Sequence, residues 1–148
     1  MSLKQGLAAL AAAVSMLGVA RSALADEHPY SQGAVVNVAS IRTVDGKFDE
    51  YMKWLSTTWK QEQEAAKKAG YITGYQILSV EARLPDDPDI LLVITYKNWA
   101  ALDGAIAKAD AIATQIEGSV GAANRSESDR ASIRRVLGST TMQELDLK

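Results

Sequence analysis

One predicted strand, residues 90–97, has apolar side chains on both of its faces. Ile90 and Leu92 point one way and Leu91 and Val93 the other, because side chains alternate between the two faces of a strand. A strand of this kind is stable only when both faces are covered. This requirement limits the fold to one in which a sheet is covered on both sides.

Three further segments are predicted to be strands because they are rich in β-branched and aromatic residues, namely 34–41, 71–80 and 139–147. Between the first two, residues 47–69 carry apolar side chains at steps of three and four, which predicts a long helix with one apolar face. The residues of that face are Phe48, Tyr51, Met52, Leu55, Trp59, Ala66 and Ala69.

A second helix is predicted after residues 90–97. Asn98 is suited to cap its N-terminus, and Gly118 is suited to the left-handed position beyond its C-terminus. The spacing predicts an apolar face that consists of Trp99, Leu102, Ile106, Ala109, Ala113 and Ile116.

A shorter helix is predicted between Ser126 and Gly138, with Arg134 and Arg135 in its last turn. The resulting order is β-α-β-β-α-(α)-β, which predicts an α+β domain of the ferredoxin-like class over residues 34–148. In such a domain two helices pack on one face of a four-stranded antiparallel sheet. The other apolar face would stay exposed in one chain, so we expect a homodimer closed through its sheet faces.

The N-terminal segment has the features of an export signal. Residues 1–25 contain an early lysine, an apolar run at 7–20 and a final Ala-Leu-Ala sequence of the kind that signal peptidase cleaves. Cleavage after Ala25 would give a periplasmic or secreted protein that begins with a flexible leader, residues 26–33. The apolar run of ~14 residues is shorter than a bilayer span, so no membrane anchor is expected after processing.

The composition excludes several classes of function. The chain has no cysteine, which excludes thiol nucleophiles, disulfides and zinc sites with cysteine ligands. Without residues 1–25, 14 lysines and arginines stand against 18 aspartates and glutamates. A net charge of −4 disfavours nucleic acid as a partner.

The chain has a single histidine, His28, which would be the third residue of the processed protein after Asp26 and Glu27. A free α-amine, two backbone amide nitrogens and this imidazole form a square-planar set of four nitrogens, a geometry suited to Cu(II) or Ni(II). Metal binding at the new N-terminus is therefore one functional hypothesis. The alternative is a histidine that lies in the leader by chance.

A small-molecule cleft between the helices and the sheet is another hypothesis. Ordinary core packing is the alternative for Tyr51 and Trp59, whereas Trp54 projects about 120° from the apolar face and favours an anchor for the dimer partner. The aromatic residues expected at the cleft are Tyr51, Trp54, Trp59, Tyr75 and Tyr96. The polar residues expected to orient a ligand or to bridge the subunits are Asn37, Gln76 and Arg42. The alternative for these three is a satisfied polar position at a dimer interface or at a sheet edge.

No catalytic residue and no cofactor are predicted. The sequence contains no phosphate-binding loop, dinucleotide fingerprint or serine-elbow motif. Glu62, Glu64, Glu81 and Glu117 show no spacing that identifies a general acid and a general base.

Residues 44–51 (VDGKFDEY) and 96–103 (YKNWAALD) are similar to the segments that open the two helices in the dimeric α/β-barrel superfamily. The chain resembles these ferredoxin-like proteins, which pair into a barrel and include antibiotic-biosynthesis-type monooxygenases. The resemblance implies a dimeric barrel and, as an alternative to a binding protein, a cofactor-independent monooxygenase or isomerase. Many relatives carry a histidine in the second helix, where this chain has Gly-Ala-Ile at 104–106, which weakens any inference of haem binding or histidine-dependent chemistry.

Overall fold

The computed structural model describes residues 28–148. Its strands are β1 (Tyr30–Thr43), β2 (Gly74–Ser79), β3 (Ile90–Tyr96) and β4 (Arg134–Leu147). They form one four-stranded sheet in the order β2-β3-β1-β4, and each neighbouring pair is antiparallel. This order, together with helices after β1 and β3, confirms the predicted ferredoxin-like α+β fold.

Two strands are longer than the sequence predicts. β1 begins at Tyr30 instead of residue 34, because Tyr30 pairs with Leu147 at the end of β4. The leader predicted for residues 26–33 is therefore strand from Tyr30 onward. β4 begins at Arg134, which pairs with Thr43 at the other end of β1. The pairing of β1 with β4 therefore makes each of these two strands begin earlier in the chain than predicted.

The long helix predicted for residues 47–69 consists of α1 (Phe48–Trp54), a π-helical turn (Leu55–Trp59) and α2 (Lys60–Lys68). The buried side chains Tyr51, Leu55, Trp59 and Gln63 follow one another in steps of four. Such steps drift by about 40° each around a regular α-helix. The wider π turn reduces this drift and keeps the four side chains directed at the sheet.

The second predicted helix is interrupted near its start. The Asn98 side chain accepts a hydrogen bond from the Ala101 N–H at 3.1 Å and caps a 3-10 turn at Trp99–Leu102. Gly104 then adopts a left-handed conformation (φ 68°), and α3 spans Ala105–Glu117. Because of this break, α3 does not continue the turn of residues 99–102. Ile106 is therefore 81% exposed, although it belongs to the predicted apolar face.

The last predicted helix is displaced along the chain. α4 spans Val120–Arg130, and its N-cap is Ser119, whose hydroxyl accepts a hydrogen bond from the Ala122 N–H at 3.1 Å. Ser119 follows the left-handed Gly118, so one helix ends and the next begins within two residues. The prediction of a helix opening at Ser126 and closed by Arg134, Arg135 and Gly138 was wrong, since these last three residues lie in β4.

The hydrophobic core lies between the helices and one face of the sheet. Its buried side chains are Ile41, Tyr51, Leu55, Trp59, Ile90, Leu92 and Ile133. No helix within residues 28–148 is both long and apolar enough to span a bilayer.

The opposite face of the sheet is not covered by any helix of the described chain. Residues paired across antiparallel strands share a face, and the pairs Val38–Val93, Leu78–Leu91 and Val36–Met142 lie on this side. Leu78 is 45% exposed and Met142 47% exposed. We call this surface the open sheet face, and we define it by Val36, Val38, Leu78, Leu91, Val93 and Met142.

Candidate functional site

A cavity of about 300 Å³ lies between α2, α3 and the helix-covered face of β3. Most of its wall is apolar, because α3 contributes a series of alanines and the sheet contributes branched and aromatic side chains. Its volume is at the lower end of the range for small-molecule sites. The lining residues are Glu62, Gln63, Ala66, Tyr71, Ile72, Ile94, Tyr96, Ala101, Ala105, Lys108, Ala109, Ile112 and Ala113.

A few polar side chains interrupt this apolar wall. Lys108 of α3 donates a hydrogen bond to the Ala101 carbonyl at 2.7 Å, and its Nζ lies 5.6 Å from the centre of the Tyr71 ring. Gln63 is buried in the opposite wall, on α2. Burial raises the pKa of the Tyr96 hydroxyl, which is therefore a neutral donor near neutral pH. Polar groups at a few positions of an apolar wall give a ligand a defined orientation.

Glu62 is the acidic residue of the cavity wall, and the carboxyl group of Glu117 at the end of α3 is its neighbour. Burial and the Glu117 carboxyl raise the pKa of Glu62 to about 7, against an opposing effect of Arg130. The Glu62 carboxyl therefore keeps its proton at pH values where an exposed carboxyl group has lost it. This pair was missed in the sequence because its members lie on different helices.

A cluster of charged and aromatic residues adjoins this carboxyl pair. Glu127 of α4 accepts hydrogen bonds from Arg130 and Arg134, each at 2.6 Å. The Arg130 guanidinium lies 4.0 Å from the centre of the Trp54 ring, and Trp54 stacks on Tyr51 with the ring centres 5.6 Å apart. Burial alone would raise the pKa of Glu127, but the two arginines outweigh it and hold that pKa below its usual value.

The side chains of Arg130 and Arg134 are largely enclosed but are not fully paired. Their side chains are only 11% and 9% exposed for Arg130 and Arg134. Nε and Nη1 of Arg130 and Nε of Arg134 have no hydrogen-bond partner among the described residues. Arg130 therefore supplies a fixed positive charge near Glu62, but it does not neutralise Glu62 by a direct ion pair.

Of the aromatic residues predicted at a ligand cleft, Tyr96 lines the cavity. Tyr51 and Trp59 lie in the hydrophobic core, as the packing alternative has it. Tyr75 packs edge-on against Trp59, with the ring centres 5.3 Å apart, and its hydroxyl donates a hydrogen bond to Glu64 at 2.5 Å. These three side chains support the fold around the cavity and do not form its wall.

Trp54 lies on the helix side of the sheet, under the Arg130 guanidinium and against the core. This position differs from the predicted role as an anchor for a dimer partner. The open sheet face is on the opposite side, so Trp54 cannot contribute to a contact between two sheets. The cation-π contact with Arg130 explains why a large aromatic residue occupies this flank of the helix.

The predicted polar residues do not meet at one site. Asn37 lies on the helix side of the sheet, where it donates a hydrogen bond to Thr141 at 2.8 Å. Gln76 and Arg42 lie on the opposite side by the alternation of their strands. The Arg42 side chain reaches the Asp87 carbonyl at 3.5 Å. Each of the three lies outside the cavity wall.

The predicted metal site lies mainly outside the described residues. Asp26 and Glu27 precede them, and so does the predicted signal at 1–25. His28 is exposed, and its ring stacks on that of Tyr30 with the centres 5.4 Å apart. Within residues 28–148 no group of three or more His, Cys, Asp or Glu side chains is placed to hold a metal ion.

One sequence signal does point to the site. The apolar face predicted for residues 47–69 passes from Trp59 to Ala66 and omits one turn. The missing positions, three and four residues after Trp59, are Glu62 and Gln63. A polar pair at positions where the helix faces the sheet indicates a buried polar site, because burying such groups is costly without a partner or a role.

No protein-family model and no curated protein sequence matches the chain. Solved structures do match. The crystal structure of HapK from Hahella chejuensis aligns with a TM-score of 0.50 at 12% sequence identity, over 74% of this chain and 91% of that one.

Two further structures are dimeric ferredoxin-like proteins from an uncultured marine organism. One aligns with a TM-score of 0.50 at 12% identity over 80% of this chain and 98% of that one. The other aligns with the same TM-score at 10% identity over 80% and 90%. The likeness shows a ferredoxin-like fold, and a fold by itself does not identify an activity.

Proposed function

Because the chain has the fold of proteins described as dimeric and ferredoxin-like, and has a cavity under its helices, we propose that it binds a small, mainly apolar or aromatic molecule there. The observation that carries the proposal is the cavity of about 300 Å³ between α2, α3 and β3. The alanines of α3 leave this space open, and larger side chains at the same positions would fill it. The polar groups of Glu62, Gln63 and Lys108 select ligands that carry at least one polar substituent.

The test uses 2-naphthol, an apolar bicyclic molecule with one hydroxyl group. In protein labelled with ¹³C at the isoleucine δ1 methyl groups, saturable shifts are expected at Ile72, Ile94 and Ile112, which line the cavity. Ile133 lies in the core outside the cavity wall and serves as the internal reference. If these methyl signals stay unchanged at millimolar 2-naphthol, the cavity does not accept aromatic ligands and the proposal fails.

A matched pair of variants on α3 localises the binding. Ala113→Leu places a larger side chain in the cavity, whereas Ala111→Leu makes the same change at an exposed position of the same helix. Filling the cavity is expected to abolish the shifts at saturating ligand, and Ala111→Leu is expected to leave them unchanged. Thermal unfolding of both variants shows whether the loss comes from a filled cavity or from a destabilised fold, since overpacking costs about 1–3 kcal/mol.

We further propose that the protein works as a homodimer in the periplasm or outside the cell. The dimeric descriptions of the similar structures and the open sheet face support the assembly. The features of residues 1–25 support export, with cleavage after Ala25. Such cleavage would create the Asp26-Glu27-His28 N-terminus, for which Cu(II) binding stays a prediction. Copper affinity that disappears in His28→Ala would support it.

A further inference from the structure

We propose that Glu62, paired with Glu117, is a general base that transfers a proton within a small carbonyl compound bound in the cavity. This inference rests on the proposed binding function and adds a reaction to it. Three observations carry it: Glu62 forms part of the cavity wall, Glu117 is the neighbouring carboxyl group, and Lys108 of α3, whose ammonium group donates to the Ala101 carbonyl, also lines the cavity.

The proton transfer is balanced without a further reactant. The Glu62 carboxylate takes a proton from a carbon next to the carbonyl group, the C–H bond breaks, and its electron pair moves to the carbonyl oxygen to form an enolate. When the compound has a double bond between its β- and γ-carbons, the protonated Glu62 returns the proton to the γ-carbon, the carbonyl group forms again and the double bond moves between the α- and β-carbons, which gives the conjugated isomer. The Lys108 ammonium supplies positive charge for the enolate oxygen, which is where negative charge develops.

The surroundings of Glu62 suit this role. Glu117 of α3 and Glu127 of α4 act against its negative charge, and Arg130 of α4 partly offsets them. A carboxylate with a pKa of about 7 is a much stronger base than an exposed one and is still ionised in about half of the molecules at neutral pH.

The experiment uses 5-nitrobenzisoxazole, an apolar bicyclic probe that reports a base without any knowledge of the natural ligand. Removal of its ring C–H proton breaks the N–O bond and gives a coloured cyanonitrophenolate, with no other reactant. The wild-type chain is expected to accelerate this elimination with a rate that rises with pH around an apparent pKa near 7. Glu62→Gln is expected to lower the rate by about 100-fold.

Two controls accompany this variant. Glu64→Gln removes a carboxylate from the same helix outside the cavity wall and is expected to keep the wild-type rate. Glu117→Gln removes the neighbouring negative charge, so the pH profile is expected to move to lower pH. This shift tests the positioning role of Glu117, because a purely structural role would change the amount of folded protein and not the midpoint of the profile.

Probe binding is measured in parallel by the shifts of the Ile72, Ile94 and Ile112 methyl groups. Bound probe with no elimination, or an unchanged rate in Glu62→Gln, overturns the catalytic inference and leaves the binding function intact. If neither 2-naphthol nor the probe shifts these signals, the binding function fails, and the catalytic inference fails with it. An unchanged profile in Glu117→Gln overturns the pairing.

Discussion

The carboxyl group of Glu62 on α2 neighbours that of Glu117, the last residue of α3, where α2 and α3 meet beside the cavity. Burial makes the negative charge of Glu62 costly, and the neighbouring Glu117 carboxyl adds to that cost. Arg130 offsets this cost only in part. The negative charge of Glu62 therefore lowers the free energy of unfolding.

This relationship predicts that the protein loses stability as the pH rises from about 4.5 to about 7. Over this range the folded chain retains a proton on Glu62 that the unfolded chain has released, because the pKa is 4.5 without the fold and about 7 within it. We expect the free energy of unfolding to fall by about 1–2 kcal/mol between pH 5 and pH 8, a value reduced for the partial exposure of Glu62. Urea unfolding at several pH values measures it.

Glu62→Gln is expected to remove most of this dependence and to exceed the wild type in stability at pH 8. Glu64→Gln, in which an exposed carboxylate of the same helix is neutralised, should keep the wild-type slope. The arginine pairing of Glu127 does not interfere, because its lowered pKa affects stability only when the pH falls below the range of ordinary carboxyl groups. A slope that persists in Glu62→Gln would contradict the raised pKa.

The fold could be predicted from the sequence wherever periodicity and turn residues agree. The order of strands and helices follows from β-branched runs, from the stripe through Tyr51, Leu55 and Trp59, and from capping residues such as Asn98. In the apolar face predicted for α3, Ala109 and Ala113 do line the cavity, but Ile106 is exposed, because the left-handed Gly104 separates a 3-10 turn from the helix. When the spacing of apolar residues is counted across both segments, it does not show that a new helix begins after Gly104.

The candidate site could be predicted only in part. Tyr96 was expected near a ligand and lines the cavity, but the aromatic residues expected beside it fill the core. Glu62 and Glu117 lie far apart in the sequence and meet only because α2 packs against α3. A contact between residues of two different helices produces no spacing pattern in the sequence. The local signal of this contact is the interruption of the apolar face at Glu62 and Gln63.

A second prediction concerns Arg134, whose side chain is 9% exposed and hydrogen-bonded to Glu127 at 2.6 Å. Arg134→Met keeps most of the side-chain volume but leaves Glu127 with Arg130 alone. We expect a loss of about 1 kcal/mol in the free energy of unfolding, because a hydrogen bond to a charged group is lost while Glu127, whose side chain is 55% exposed, keeps Arg130 and solvent as partners. Chemical denaturation at neutral pH measures it.

The next residue provides the matched control. Arg135 is 60% exposed and pairs with the exposed Asp86 at 2.6 Å, so Arg135→Met is expected to change stability by less than about 0.5 kcal/mol. Equal effects of the two substitutions would show that the enclosure of Arg134 by Tyr51 and Glu127 does not contribute to stability. A larger effect of Arg134→Met supports a structural role for the cluster beside the cavity.

The last prediction tests the proposed dimer through the open sheet face. Val93 pairs with Val38 in the middle of the two central strands, so its side chain would lie near the centre of a sheet-to-sheet contact. Val93→Lys would bury an unpaired ammonium group there, at a cost far above that of the same change at an exposed position. We expect the wild type to sediment as a dimer at about 100 μM and Val93→Lys to sediment as a monomer.

The control is Ile106→Lys, which makes the same class of change at a side chain that is 81% exposed on α3 and should remain a dimer. Circular dichroism confirms that each variant is folded, and a folded Val93→Lys dimer would place the interface elsewhere.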